Sequence, residues 1–192
     1  MKTLKLMAGV SLLVLAMGAA PAAAQTKMTW AGSLYAGYAK ATEDGAPDGS
    51  IGFRGNIMAM VHPVIGIGPE VGYHMLGKTE NVTDGTNTGD LKFNTFQATA
   101  QVMARGQRGT VHPFATGGLG MYGLKTKFSA TDGSGIEASD TQTKFGFKLG
   151  GGIQYKPGTS SIGFGAEGRW HSIQTEGSST DMITVMAGVN FN

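Results

Sequence analysis

No cysteine occurs in the 192 residues, which removes disulfide scaffolds, thiolate metal sites and cysteine nucleophiles together. Proline is scarce at six, so collagen-like and proline-rich architectures are excluded although glycine, at 32, is abundant. Charge is sparse too. Only 15% of residues are charged against 41% hydrophobic, a balance that argues for a packed chain over a disordered one. Long apolar runs are missing after the N-terminal segment. The longest nearly apolar stretch, residues 57–68, is broken by His62 and Pro63 and falls short of the 18 or more residues of a membrane-spanning helix. The length suits one domain with one core.

Residues 1–24 have the form of a cleavable secretory signal. Lys2 and Lys5 make a positive start, residues 6–20 an apolar stretch, and Ala22-Ala23-Ala24 a small-residue cleavage site before Gln25. Its removal leaves a domain over 25–192 with equal numbers of basic and acidic side chains. No clustered Lys/Arg tract remains, so the electrostatic footprint of nucleic-acid binding is missing.

What is present is alternation of period two, the mark of strands with two unlike faces. Trp30, Leu34, Ala36 and Tyr38 share one face. Ile51, Phe53, Ile57 and Val61 alternate with Arg54, Asn56, Met58 and Met60. Ile65, Ile67, Val71, Tyr73 and Met75 oppose Glu70 and His74, and Phe96, Ala98, Ala100 and Val102 oppose Gln97, Thr99 and Gln101. A glycine-rich fifth segment near residues 111–124 leaves its facing open. Three more follow: Phe145, Phe147, Leu149, Ile153 and Tyr155 against Lys144, Lys148 and Gln154; Ile162, Phe164, Ala166 and Trp170 against Glu167, Arg169 and His171; and Ile183, Val185, Ala187, Val189 and Phe191 against Thr184, Met186 and Asn190. Eight strands of about ten residues are expected, the length that crosses a bilayer's hydrocarbon core when tilted. Pro69 falls inside the third, which predicts a bulge or a later strand start there.

Connections alternate in length. Residues 40–50, 77–90, 125–142 and 172–181 read as long polar loops, whereas residues 62–64, 105–110 and 156–160 read as tight turns. Eleven of the thirteen acids lie in the long set. A membrane barrel produces this rhythm, with short turns on one side and long loops on the other, and a soluble barrel has no physical reason to do so. The pattern therefore predicts an all-β, closed, antiparallel, eight-stranded up-and-down transmembrane barrel. Lipid would face the apolar set. A polar lumen network of Arg54, Glu70, His74, Gln97, Gln101, Lys144, Lys148, Gln154, Glu167, Arg169 and His171 would fill the inside, where buried charges need partners. Aromatic belts are expected at the rims, with Trp30, Tyr155 and Phe191 at one and Tyr38, Tyr73, Phe93, Phe145 and Trp170 at the other.

The whole stretch after the signal resembles the small eight-stranded outer-membrane β-barrels, of the OmpA-transmembrane or opacity-porin-like kind. The resemblance is carried by residues 114–122 (FATGGLGMY), 147–155 (FKLGGGIQY), 167–171 (EGRWH) and the closing strand 183–191 (ITVMAGVNF), with Asn192 added after Phe191. It implies export to the outer membrane, contact with outer-membrane lipid and lipopolysaccharide, and delivery to the barrel-assembly machinery through the C-terminal strand. The family's roles range over adhesion, envelope stability, small-solute permeation and lipid modification.

Catalytic motifs are thin. Residues 118–123 (GLGMYG) match G-x-G-x-x-G by letters but lack the βαβ context of a dinucleotide site. His62, His74, His112 and His171 have no metal-ligand spacing, and the two Val-His-Pro sequences at residues 61–63 and 111–113 look like turns built alike. Glu167, His171, Ser172 and Glu176 suggest a hydrolase triad, yet adjacent strand residues point to opposite faces. Asn81-Val82-Thr83 has the form of a glycosylation acceptor and reads as a loop tip. No cofactor is expected. The leading reading is a non-enzymatic envelope protein that presents four long loops to surface ligands. A narrow pore for ions or small solutes stands second, and a lipid-modifying hydrolase or soluble lipocalin-like carrier behind it.

Overall fold

Eight antiparallel strands follow one another around a closed ring, each hydrogen-bonded to the next and the last to the first. They are β1 (Thr29–Ala41), β2 (Ser50–His62), β3 (Ile65–Asp84), β4 (Asn87–Arg105), β5 (Val111–Ala130), β6 (Glu137–Tyr155), β7 (Ile162–Thr175) and β8 (Ser178–Phe191). The computed structural model describes residues 28–43, 46, 48–84, 87–106, 109–130, 137–175 and 178–191. The expected signal over 1–24 lies outside them, as do Asp44, Asp132, Glu176, Asn192 and the side chains of Asn81 and Thr83. No helix occurs among the described residues.

The alternation in the sequence becomes an apolar outer wall and a mixed interior. Trp30, Ile153 and Val185 are 63%, 54% and 59% exposed on the outside, whereas Arg54 and Glu167 keep only 5% and 4% of their surface. Water does not tolerate a continuous apolar wall on a soluble monomer. A bilayer requires one, together with the closed hydrogen bonding that leaves no strand edge. Closure also decides the facing of β5: Phe114, Thr116 and Tyr122 are buried inside, and Leu119 is exposed.

Four features differ from expectation. The strands run to 13–20 residues instead of about ten. Most of the expected loops over 77–90, 125–142 and 172–181 are strand: β3 continues to Asp84 before β4 starts at Asn87, and β5 and β6 pair as far as Ser129 and Glu137. Outside the bilayer polar residues are tolerated on both strand faces, so alternation fades while the ladder continues. Between β1 and β2 the described residues Thr42, Glu43, Ala46, Asp48 and Gly49 lie outside any strand.

Pro69 neither bulges β3 nor delays it. It points outward and pairs with Ala100 on β4, and beside it the β2–β3 ladder lacks the pairs of Ile57 and Met58 but resumes in the same register at Ala59. The bulges of β3 lie elsewhere, one of them at Met75–Gly77, where Gly77 has φ 98°. Phe93 is not part of an outer aromatic belt. It shares the parity of the buried Thr95 and packs inside against Ala39, Ala41, Leu76 and Met182.

The interior is layered. Ala39, Ala41, Leu76 and Met182 seal it near the long hairpins, and Met58, Met60, Met103 and Phe114 form a second apolar cluster near the short turns. Charge occupies the layer between. The turns themselves are tight: Gly109 and Gly158 adopt φ of 76° and 52°, a region glycine enters without strain.

Candidate functional site

Strand stagger brings residues far apart in sequence to one level of the lumen. Arg54 on β2, Glu70 on β3, Lys148 on β6, and Glu167 and Arg169 on β7 all point inward and meet there, each at most 5% exposed. Glu70 is the hub. Its carboxylate accepts from Arg169 Nη1 at 2.8 and 2.9 Å, from Gln97 Nε2 at 2.9 Å, from Arg54 Nη1 at 3.2 Å and from Lys148 Nζ. Glu167 receives a two-pronged contact from Arg54, whose Nε and Nη2 both donate at 2.5 Å. Arg169 Nη2 adds a bond at 3.0 Å, and its Nε lies 2.9 Å from Glu167 Oε1 without hydrogen-bond alignment.

Charges this deep are costly to desolvate, and only mutual pairing with good geometry offsets that cost. Arg54 gains two further partners: Ser33 Oγ accepts at 3.2 Å, and the Tyr35 ring lies 4.0 Å from the guanidinium carbon. The expectation of one continuous polar network separates into three levels. Nearer the long hairpins, His171 is held by the hydroxyls of Tyr122 at 3.2 Å and Thr184 at 3.3 Å. His74 packs edge-on to it at 5.7 Å, with neither ring nitrogen in an aligned hydrogen bond. The ion cluster forms the middle level. Nearer the turns, Tyr35 and Gln154 both donate to Asn190 Oδ1 at 3.1 Å, and Thr116 donates to Gln101 Oε1 at 3.3 Å.

Lys144 stands apart. It has the inward parity of Lys148, but it is half-buried towards the hairpin end and makes no ion pair among the described residues. Ser33, Tyr35, Tyr122, Thr184 and Asn190 were not among the expected network. Parity assigns Ser33 and Tyr35 to the face opposite Trp30, and Thr184 and Asn190 to the face opposite Ile183, so all four carried a signal. Tyr122 was hidden by the glycines around it.

The remaining aromatics of the expected belts, Trp30, Tyr38, Tyr73, Phe145, Tyr155, Trp170 and Phe191, are all exposed on the outer wall. Trp170 packs edge-on against Phe147 with centroids 5.3 Å apart. On the long hairpins, charges pair across and along the strands: Lys78 with Glu80 at 2.5 Å and Asp90 at 3.8 Å, and Lys127 with Glu137 at 2.9 Å. The Lys78–Glu80 hydrogen bond raises the lysine pKa and lowers that of the carboxyl, although exposure keeps its contribution to stability small.

Two features bear on chemistry. Ser172 and His171 do not meet, because both ring nitrogens of His171 are turned to Tyr122 and Thr184. Among the described residues, no group of His, Asp and Glu could hold a metal ion. The two Val-His-Pro histidines serve turns: His62 Nδ1 accepts from the Val64 amide at 3.3 Å, and His112 Nδ1 meets the Gly106 carbonyl at 2.9 Å.

Comparison with known proteins agrees with this architecture. Residues 10–191 match the family of outer membrane protein β-barrel domains. No curated protein sequence matches the chain significantly. Among solved structures, it is similar to Neisserial surface protein A, with 15% identity over 84% of this chain and 96% of that one and a TM-score of 0.60. It is also similar to a major outer membrane protein from Thermus thermophilus, at 11% identity, 85% and 99% coverage, and a TM-score of 0.61. The attachment invasion locus protein Ail of Yersinia pestis, solved with the heparin analogue sucrose octasulfate, shares 22% identity over 85% and 100%, with a TM-score of 0.57. At these identities the likeness concerns the fold.

Proposed function

Because the chain belongs to the outer membrane protein β-barrel family, we propose that it is a non-enzymatic surface protein whose projecting hairpins engage ligands outside the cell. Membership of that family implies residence in the outer membrane. The observation that carries the surface role is the unequal reach of the strands. β3, β4, β5 and β6 have 19–20 residues, against 13–14 for β1, β2, β7 and β8. A tilted strand needs about ten to cross the hydrocarbon core. The excess amounts to roughly 30 Å of ladder at about 3.3 Å per residue. Two adjoining hairpins therefore rise from one side of the barrel as a stiff polar platform.

The sealed lumen supports this reading over a pore. Arg54, Glu70, Lys148, Glu167 and Arg169 fill the cross-section with paired charge, and an apolar layer closes the hairpin end. The hairpin platform also faces lipopolysaccharide of the surrounding leaflet, which we take as its nearest neighbour. Contact with the assembly machinery would use β8, the strand that closes the ring against β1.

The test is to replace residues 80–90 and 126–140 by tight turns in the full chain and measure attachment of expressing bacteria to an epithelial monolayer. The reading expects attachment to be lost while the protein still shifts mobility on heating, the sign of an intact barrel. Unchanged attachment, or steady unitary conductance of the parent protein in planar bilayers, contradicts it.

A further inference from the structure

Below the ion cluster, on the short-turn side, the barrel encloses a cavity of about 20 Å³. That is room for one water-sized particle, which needs roughly 10–15 Å³. The Arg54 and Arg169 guanidiniums line its inner end, and Arg105 lines it from the mouth side. Gln101 and Asn190, 2% and 7% exposed, complete the polar wall. Asn190 is oriented by its carbonyl oxygen, which accepts from Tyr35 and Gln154, while the Thr116 hydroxyl lies 3.3 Å from Gln101 Oε1 and shares its one proton between that oxygen and the Val102 carbonyl at 3.2 Å. The amide nitrogens, Gln101 Nε2 and Asn190 Nδ2, are left with no hydrogen-bond partner. Buried donors without partners are unfavourable unless something fills the space.

Charge points the same way. The cluster holds three cations, Arg54, Lys148 and Arg169, against two carboxylates, Glu70 and Glu167, and so buries one uncompensated positive charge. No Asp or Glu lines the cavity. It shares Arg105, Gln154 and Asn190 with a wider mouth cavity of about 240 Å³, where His112 and Lys156 are added and again no acid appears. The other acids among the described residues, such as Glu43, Glu80, Asp90, Glu137, Asp140 and Asp181, lie towards the opposite end. A vestibule lined by one sign of charge concentrates counter-ions of the other.

We propose that this cavity binds one small monovalent anion, with the size and weak hydration of chloride or bromide, entering from the short-turn mouth. Met58, Met103 and Phe114 form its apolar side, which disfavours strongly hydrated divalent anions, and its volume excludes them. The inference is independent of the surface-interaction reading, since it concerns the other end of the barrel.

The probe is bromide. Crystals of the purified protein grown in bromide should give an anomalous peak within hydrogen-bond reach of Gln101 Nε2 and Asn190 Nδ2. In solution, unfolding midpoints should rise with chloride, but not with gluconate at equal ionic strength, because a ligand that binds only the folded state stabilises it by mass action. Gln101→Glu, which supplies its own carboxylate, should lose both the peak and the chloride dependence. Gln101→Met, which removes the donor at similar volume, should weaken both and covers the case in which the Glu variant fails to assemble. A cavity holding only ordered water, a peak elsewhere alone, or an undiminished chloride dependence in both variants overturns the proposal.

Discussion

Arg169 Nη1 donates to both oxygens of Glu70, at 2.9 and 2.8 Å, across the lumen and across 99 residues of sequence. The pair ties β7 to β3, strands that share no ladder. Backbone pairing holds each strand to its two neighbours only, so contacts of this kind make the closed ring resist flattening.

Removing the hub should therefore be costly. Glu70→Gln leaves Lys148 and Arg169 with a weakened partner in a dry layer, and breaking a buried pair costs about 3–5 kcal/mol. The double change Glu70→Gln with Lys148→Met should recover part of that loss, because it removes one stranded cation. Urea unfolding from lipid vesicles measures both. A single-variant cost below about 1 kcal/mol would place the barrel's stability elsewhere.

Outside the barrel the sign of the rule reverses. Val185 faces outward between Tyr38 on β1 and Gly168 on β7. Val185→Arg should cost about 2–4 kcal/mol if that face lies within the bilayer, whereas Val185→Leu should be nearly neutral. The same unfolding assay reports the difference, and an Arg variant as stable as the parent would remove lipid from that face.

Glycine is used at two levels of necessity. A Cβ on Gly188 would collide with the Leu34 carbonyl and the Tyr35 backbone at the seam that closes the barrel, whereas a Cβ on Gly168 would meet nothing within 4 Å. Gly188→Ala should destabilise by about 1–3 kcal/mol through overpacking. Gly168→Ala should lie within about 0.5 kcal/mol of the parent, as for surface changes generally. Equal effects at the two sites would mean that the seam is loose enough to absorb a methyl group.

Phe191 ends β8 on the outer wall, opposite Gly32 on β1 and Ile162 on β7. If that aromatic end guides insertion, Phe191→Ala should lower the fraction of protein that reaches the outer membrane in heat-modifiable form. The barrel refolded in vitro from the same variant should differ little. Normal insertion in cells would show that the machinery reads another feature of the strand.

Much of this architecture was legible in the sequence, for a definite reason. Lipid demands an apolar side chain at every second position, so Leu34, Ile57, Val71 and Val185 revealed their strands one by one. Reading failed where that demand lapses. Residues 77–90 and 125–142 looked like loops because strands outside the bilayer carry Lys78, Glu80, Lys125 and Lys127 without penalty. Phe93 looked like a belt aromatic until parity with Thr95 turned it inward. The inward set of charges was visible, but its division into levels was not, because contacts such as Arg54 to Glu167 depend on strand stagger that no local pattern records. The unpartnered amides of Gln101 and Asn190 depend on the same stagger.

Which face of each strand meets lipid decides the membrane assignment, and the absence of native cysteine makes that facing directly measurable. Single cysteines at positions 147–150 on β6 and 183–186 on β8, spin-labelled in the membrane-inserted protein, should show oxygen accessibility that alternates with period two. Leu149, Ile183 and Val185 should be accessible, and Lys148, Thr184 and Met186 protected. Accessible labels at Lys148 and Thr184 with protected ones at Leu149 and Val185 would contradict it.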